Sequence, residues 1–212
     1  VTNNQNEKLF SNKFIQKFLD NQSKESLKNK SKFSEIAFSL AYYLKSFSNI
    51  YKLLDYICLI FKHFYEEKII LIMPLDYEGE IWNKNIKISA NNEFLKVQEE
   101  INIFLNQFNF SKNFKIKDIQ IFENALKNNF KEYQIETVKI LSRGKCRGFI
   151  YIFSEDLSAN YINEDPNFNF IQNCLAVGLE NYCLIKTKKK HENVDREIST
   201  GAEIQSQLLP DY

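Results

Sequence analysis

The sequence predicts an α+β fold in which helical patterns towards both ends of the chain enclose a middle stretch that turns to extended periodicity. Three observations carry this expectation. Between residues 50 and 64 the apolar side chains fall at Ile50, Leu53, Leu54, Ile57, Ile60, Phe61 and Phe64, the spacing of one helix face. Ile135, Val138 and Ile140 precede the turn Ser142-Arg143-Gly144-Lys145, and Phe149–Phe153 follow it, which reads as a β-hairpin. Helical signal then persists from Phe168 to Leu209, where Pro210 stops it.

Each element is justified in turn. In the polar first 32 residues, Phe10, Phe14, Ile15, Phe18 and Leu19 mark one face of a short helix, followed by a charged connector from Ser23 to Lys32. A second helical pattern runs from Phe33 through Ile36, Leu40, Tyr43, Leu44 and Phe47. Ser48 is the expected N-cap of the third, at 50–64. The run Lys68–Met73 fits a strand buried on both faces. Asp76-Tyr77-Glu78-Gly79 is a turn, after which Ile81, Ile86 and Ile88 are expected to continue in extended form. Helical spacing returns at Phe94, Val97, Ile101, Phe104, Leu105 and Phe108, and again at Ile119, Phe122, Leu126 and Phe130. Asp165 is placed to cap the last helix with Pro166 at its first position, where proline is favoured. About 40 residues at 1.5 Å each make a rod of roughly 60 Å, too long for a domain of this size to cover.

Composition narrows the function classes. A chain of 212 residues with 44% hydrophobic and 26% charged residues is expected to be folded and soluble. A net charge of +1 gives no electrostatic case for nucleic acid or an anionic membrane. Five Gly and three Pro argue against a loop-rich sandwich or barrel and against Gly-rich phosphate cradles. No apolar run of about 18 residues and no signal peptide is present, so a cytoplasmic protein with reduced thiols is expected. Three arginines among abundant Lys, Asn, Ile and Phe fit an AT-rich coding bias, which leaves the Asn and Lys runs without need of a functional reading. The chain starts at Val1, and the expectation is a piece of something longer.

Catalytic chemistry finds little footing. There is no GxSxG, P-loop, HExxH or GxGxxG pattern, no CxxC pair, and His63 and His191 are far apart in sequence, so neither a metal site nor an enzyme is expected within these residues. Cys146 stands between Lys145 and Arg147, a setting that can lower a thiol pKa, although a hairpin-edge cysteine among solvated charges is the plainer reading. Cys58, Cys174 and Cys183 sit on apolar helix faces as small hydrophobes, and His63 reads as a helix-terminal side chain. The acids Glu66-Glu67 and Glu99-Glu100 point to different faces, and Lys186–His191 reads as a solvated helix face.

The ordered set of elements from about Phe33 to Lys186 resembles the GAF domain, a sensor fold related to PAS. The pieces that carry the resemblance are Ile50–Tyr65 feeding Ile69–Pro74, then Leu75-Asp-Tyr-Glu-Gly-Glu80, the pair Glu136–Leu141 and Cys146–Phe153 with Gly148, and Leu175-Ala-Val-Gly-Leu-Glu-Asn-Tyr182. The tail Ala202, Glu203, Ile204, Gln205, Leu208, Leu209 and Pro210 is similar to the linker that precedes the catalytic domain of bacterial regulator-of-sigma serine phosphatases, with seven matches in nine residues. The resemblance implies a GAF/PAS-like antiparallel sheet flanked by helices, divided as an N-terminal helical arm (1–32), a sensor domain (33–186) and a linker helix (187–212). It also implies a downstream phosphatase domain whose acidic residues hold Mg or Mn and activate water against a phosphoserine, with a phosphorylated anti-sigma-antagonist-type protein as the partner reached through it. None of those acidic residues is in this chain, and no cofactor is expected in it.

A sensor of this kind takes its signal in a pocket between sheet and helices, for which Trp82, Phe94, Phe122 and Tyr133 are the candidate wall. Bilin, cyclic-nucleotide and haem ligands are disfavoured: no Cys adjoins a His, Asn83-Lys84 stands alone, and His63 is placed at a helix end. Output would pass along the last helix, where Val194, Ile198, Gly201, Gln205 and Leu208 repeat at 4, 3, 4, 3 as a coiled-coil seam. Gly201 and Gln205 weaken that seam, which suits a two-state transmitter and predicts a parallel homodimer. The rival is a ligand-free scaffold that dimerises or docks a partner protein through the Phe10–Leu19 helix.

Overall fold

The computed structural model describes residues 49–208, except 83, 84, 109, 111–113 and 156–161, together with Ile36, Ser39, Leu40 and Leu44; residues 201–208 are described as backbone. The expected arm at 1–32 and most of the pattern from Phe33 to Phe47 lie outside the described residues. The chain divides into two compact units, Val1–Ser39 and Leu40–Tyr212.

Within the second unit, helix α1 (Ile50–Phe64) buries Ile50, Leu53, Leu54, Ile57, Ile60 and Phe61. Each such side chain contributes roughly 1.5–3 kcal/mol on leaving water. Its cap is Asn49, whose side chain accepts from the Tyr51 N–H at 2.9 Å, rather than the expected Ser48. An asparagine serves this role as well as a serine does, so the cap moves by one residue without changing the helix.

Strand β1 (Ile69–Pro74) follows and is buried at all six positions. Strand β2 (Lys87–Ser89) is only three residues long. The expected extended run from Ile81 is therefore shortened: Ile81 makes a single antiparallel bridge to Leu75, and the ladder resumes only at Lys87. Strands β3 (Gln134–Ser142) and β4 (Lys145–Ser154) form the hairpin predicted for them. Its two-residue loop has φ of 49° at Arg143 and 75° at Gly144, the pair of positive values that a type I′ turn requires. The sheet is antiparallel throughout, in the order β2-β1-β4-β3.

Helices cover both faces. Alternate residues Ile69, Leu71 and Met73 of β1 and Phe149, Tyr151 and Phe153 of β4 form one core with Ile101 of α2 (Leu95–Gln107) and Phe122 and Leu126 of α3 (Ile119–Asn129). The intervening residues Ile70, Ile72, Ile150 and Ile152 are buried on the opposite face, beneath α1 and helix α4 (Pro166–Leu208). This is why β1 lacks polar alternation. Where β1 meets β4, a Cβ on Gly148 would stand 2.7 Å from the Met73 carbonyl oxygen and 3.0 Å from the Pro74 Cα, so only glycine fits.

Helix α4 has 43 residues and, at 1.5 Å each, is about 65 Å long. Pro166 is its first residue, and the Asp165 side chain accepts from the Asn167 N–H at 2.8 Å, as expected from the sequence. Burial runs from Phe168 to Cys183; from Lys188 to Thr200 every residue is exposed. No break separates the packed half from the exposed half, and the 186/187 boundary falls inside continuous helix.

Candidate functional site

The contacts of greatest interest join the β1–β2 turn to α4. Asp76 organises the turn: its Oδ1 accepts from the Glu78 and Glu80 N–H groups at 2.8 and 2.9 Å, while its own N–H donates to the Glu80 carbonyl at 2.9 Å. The turn is closed further by the Trp82 N–H donating to the Pro74 carbonyl at 3.0 Å. Thus braced, it presents Tyr77, Glu78 and Trp82 to the helix.

Three residues of α4 spaced four apart meet it. Trp82 lies on Tyr182 with ring centroids 4.9 Å apart, and Lys186 reaches over the Tyr182 ring at 5.5 Å. Lys190 places its ammonium 5.3 Å from the Tyr77 ring centre, donates to the Tyr77 hydroxyl at 3.1 Å, and sits 3.4 Å from Glu78 Oε1. The hydrogen bond from Tyr77, then Lys190, holds the Glu78 carboxyl below its ordinary range, and the Tyr77 contact raises the Lys190 ammonium. Asp76, Tyr77, Trp82, Tyr182, Cys183 and Lys186 line an open cavity of about 210 Å³ between turn and helix.

One turn further inside, Arg147 of β4 donates from Nε to Glu180 of α4, with both side chains less than a tenth exposed. Neither residue was singled out from the sequence. The signal available was the rarity of arginine: a chain that uses lysine almost everywhere spends one of three arginines here, where a planar guanidinium suits a buried pair.

The predicted pocket residues do not converge on one cavity. Phe122 is fully buried, with ring neighbours Phe104, Phe108, Phe110 and Tyr151 at 5.2–5.8 Å. Phe94 and Tyr133 border the same core, and the Tyr133 hydroxyl lies 3.3 Å from Glu155. Trp82 belongs instead to the turn–helix contact. An open cleft of about 550 Å³ lies beside the end of α2, walled by Ile86, Leu105, Phe108 and Phe110 with the amides of Asn102, Asn106 and Gln107. None of the four predicted residues lines it. Asn83 and Lys84 lie outside the described residues.

The cysteines are quiet. Burial pushes the Cys58 thiol up to about 12 and Cys174 up to about 11, and also raises Cys183. Cys146 is raised too, chiefly by burial, despite its basic neighbours; Arg147 is turned away into its pair with Glu180. Among the described residues, no three His, Cys, Asp or Glu side chains gather as a metal site, and no helix is long and apolar enough to cross a membrane.

Of the predicted seam, Val194 and Ile198 are 44% and 65% exposed. Gly201, Gln205 and Leu208 continue on the α4 backbone. Leu209 and Pro210 lie outside the described residues.

These features define an α+β protein with a four-stranded antiparallel sheet between helical layers and a helix that runs on beyond the packed domain. No family model, curated protein or solved structure matches the chain.

Proposed function

We propose that this chain is the regulatory region of a metal-dependent protein serine phosphatase of the regulator-of-sigma type. In this reading a GAF/PAS-like domain passes its state along α4, as a parallel dimer, to a phosphatase domain that holds Mg or Mn and acts on a phosphorylated partner protein. The observation that carries the relay is the unbroken passage of α4 from a buried half into a half with Val194 and Ile198 exposed at seam spacing. The resemblance of Ala202–Pro210 to a phosphatase linker supplies the identity of the output.

Sedimentation equilibrium of the chain tests the relay. A monomer–dimer equilibrium is expected, abolished in Ile198→Asp with the fold intact by circular dichroism; a wild-type chain that stays monomeric at high concentration overturns it. The output is tested on the full polypeptide, which should release phosphate from a phosphoserine protein only with Mg or Mn. Metal-independent release, or none, rejects the phosphatase.

A second reading, a ligand-free scaffold for dimerisation or docking, is favoured by the interlocked aromatic rings beneath α2 and α3. The sensor reading places the ligand in the cleft at Asn102, Asn106 and Gln107 instead. Crowding that cleft by Asn106→Trp should change the dimerisation constant if the cleft is read out, and leave it unaltered in a scaffold.

A further inference from the structure

Counted back onto the packed half of α4, the heptad of the exposed seam meets both outward and inward residues. Counting by sevens from Ile198 gives His191, Leu184 and Val177; counting from Val194 gives Thr187 and Glu180. Val177 and Leu184 are 47% and 48% exposed, on the side of α4 that faces away from the sheet. Val177 and Leu184 thus share the heptad position of Ile198, but the Val194 position falls on polar Thr187 and on Glu180, which is buried against Arg147, so the apolar line open to a partner is Val194 with Ile198.

Flanking that line are Lys190 and Asp195, at the two positions that border a coiled-coil core. In a parallel, in-register pair, the residue at the first of these positions faces the residue five further on in the other helix. That places Lys190 of each copy opposite Asp195 of the other. Opposite charges at this spacing select a second copy, in parallel register, as the occupant of that line. Lys190 is also the residue that Tyr77 and Glu78 hold from within the same chain. One ammonium has two suitors, one on each side of the helix.

We propose that Lys190 is shared between the turn at Tyr77–Glu78 and Asp195 of a second copy, so that the turn acts as a clasp that opposes pairing of α4. The inference rests on the dimeric relay above and names its control point. When the turn holds Lys190, the helix is fastened to its own domain as far as residue 190 and the intermolecular ion pair is lost. When the turn lets go, the lysine is free for the second copy and the apolar line closes. The 210 Å³ cavity beneath the clasp leaves the turn room to move against the helix.

The test uses the whole chain and three variants, Tyr77→Ala, Glu78→Gln and Asp195→Asn, all at exposed positions where the fold is expected to survive. Opening the clasp should tighten dimerisation about two- to five-fold, the scale of one exposed cation–π contact or ion pair. It should also speed hydrogen exchange at amides 187–194 in the monomer. Asp195→Asn should weaken dimerisation by a similar factor and leave monomer exchange unaltered. A dimer whose constant is unmoved or weakened by Tyr77→Ala and Glu78→Gln overturns the clasp while leaving the relay standing. A chain that never dimerises removes both, and unaltered exchange at 187–194 in the clasp variants overturns the clasp whatever the oligomeric state.

Discussion

Replacing Glu180 by glutamine keeps the side-chain shape and removes its charge, which leaves the Arg147 guanidinium buried without a counter-ion. Both side chains are less than a tenth exposed, so water cannot substitute for the lost carboxylate. Breaking one side of such a pair costs about 3–5 kcal/mol, whereas an exposed pair is worth at most about 1 kcal/mol. For a chain of this length each kcal/mol moves the melting temperature by about 2–4 °C, so Glu180→Gln should melt about 6–20 °C lower. Urea denaturation followed by circular dichroism should give the same loss from the shift in midpoint, with little change in slope. The double variant Arg147→Met with Glu180→Leu removes both charges and should recover most of the loss, because apolar replacements of similar volume remove the desolvation cost as well as the attraction. A Glu180→Gln loss below about 1 kcal/mol would show the pair to be solvent-screened. A double variant no better than the single one would show that shape, not charge, decides at this contact.

Two further outcomes follow from the same packing. Gly148→Ala should cost about 1–3 kcal/mol by urea midpoint, because its Cβ meets the backbone of Met73 and Pro74 rather than a side chain that can turn aside; a neutral result would show that β1 and β4 can separate locally. Cys58 is pushed up by burial from 9.0 to about 12, so the unfolded chain loses that proton first and stability falls as pH rises from 9 towards 12, by up to about 1.4 kcal/mol per pH unit. Cys58→Ala should make the alkaline limb of a stability–pH curve less steep, the other buried thiols keeping the remainder, and an unaltered limb would refute the assignment.

The elements whose evidence lies within one stretch of chain were legible before any coordinates. Helix α1 announces itself through the spacing of Leu53, Leu54, Ile57, Ile60 and Phe61, β1 through a run with no polar residue, and the hairpin through a two-residue turn that demands positive φ. The shortening of β2 was not legible, because Ile81, Ile86 and Ile88 all face the aromatic core whether or not the residues between them pair with β1. The site was harder still. Lys190 and Tyr77 are 113 residues apart, Arg147 and Glu180 33 apart, and neither contact leaves a periodic trace in the sequence. Asn102 and Asn106 looked like composition bias, yet the register of α2 puts them in the cleft. Trp82 and Phe122 share aromatic character and nothing else: one is at a surface contact and the other is in the core.

The two fastenings of α4 differ in kind, and the difference has a consequence for how a signal can travel. At Glu180 the helix is tied to the sheet by a buried charge pair whose loss is costly, so that part of α4 has one position in the folded domain. At Lys190 it is tied by exposed contacts, each of which changes an equilibrium by only a few fold. Motion of α4 relative to the sheet should therefore begin beyond Cys183, the last buried residue among the described side chains of the helix, and be decided at the turn. A change that moves the turn reaches the exposed half through Tyr77, Glu78 and Trp82, which contact Lys190 and Tyr182 of α4. The weaker contact is the better place for control because losing a contact worth only a few fold leaves the held and released arrangements close in free energy, which losing the buried pair does not.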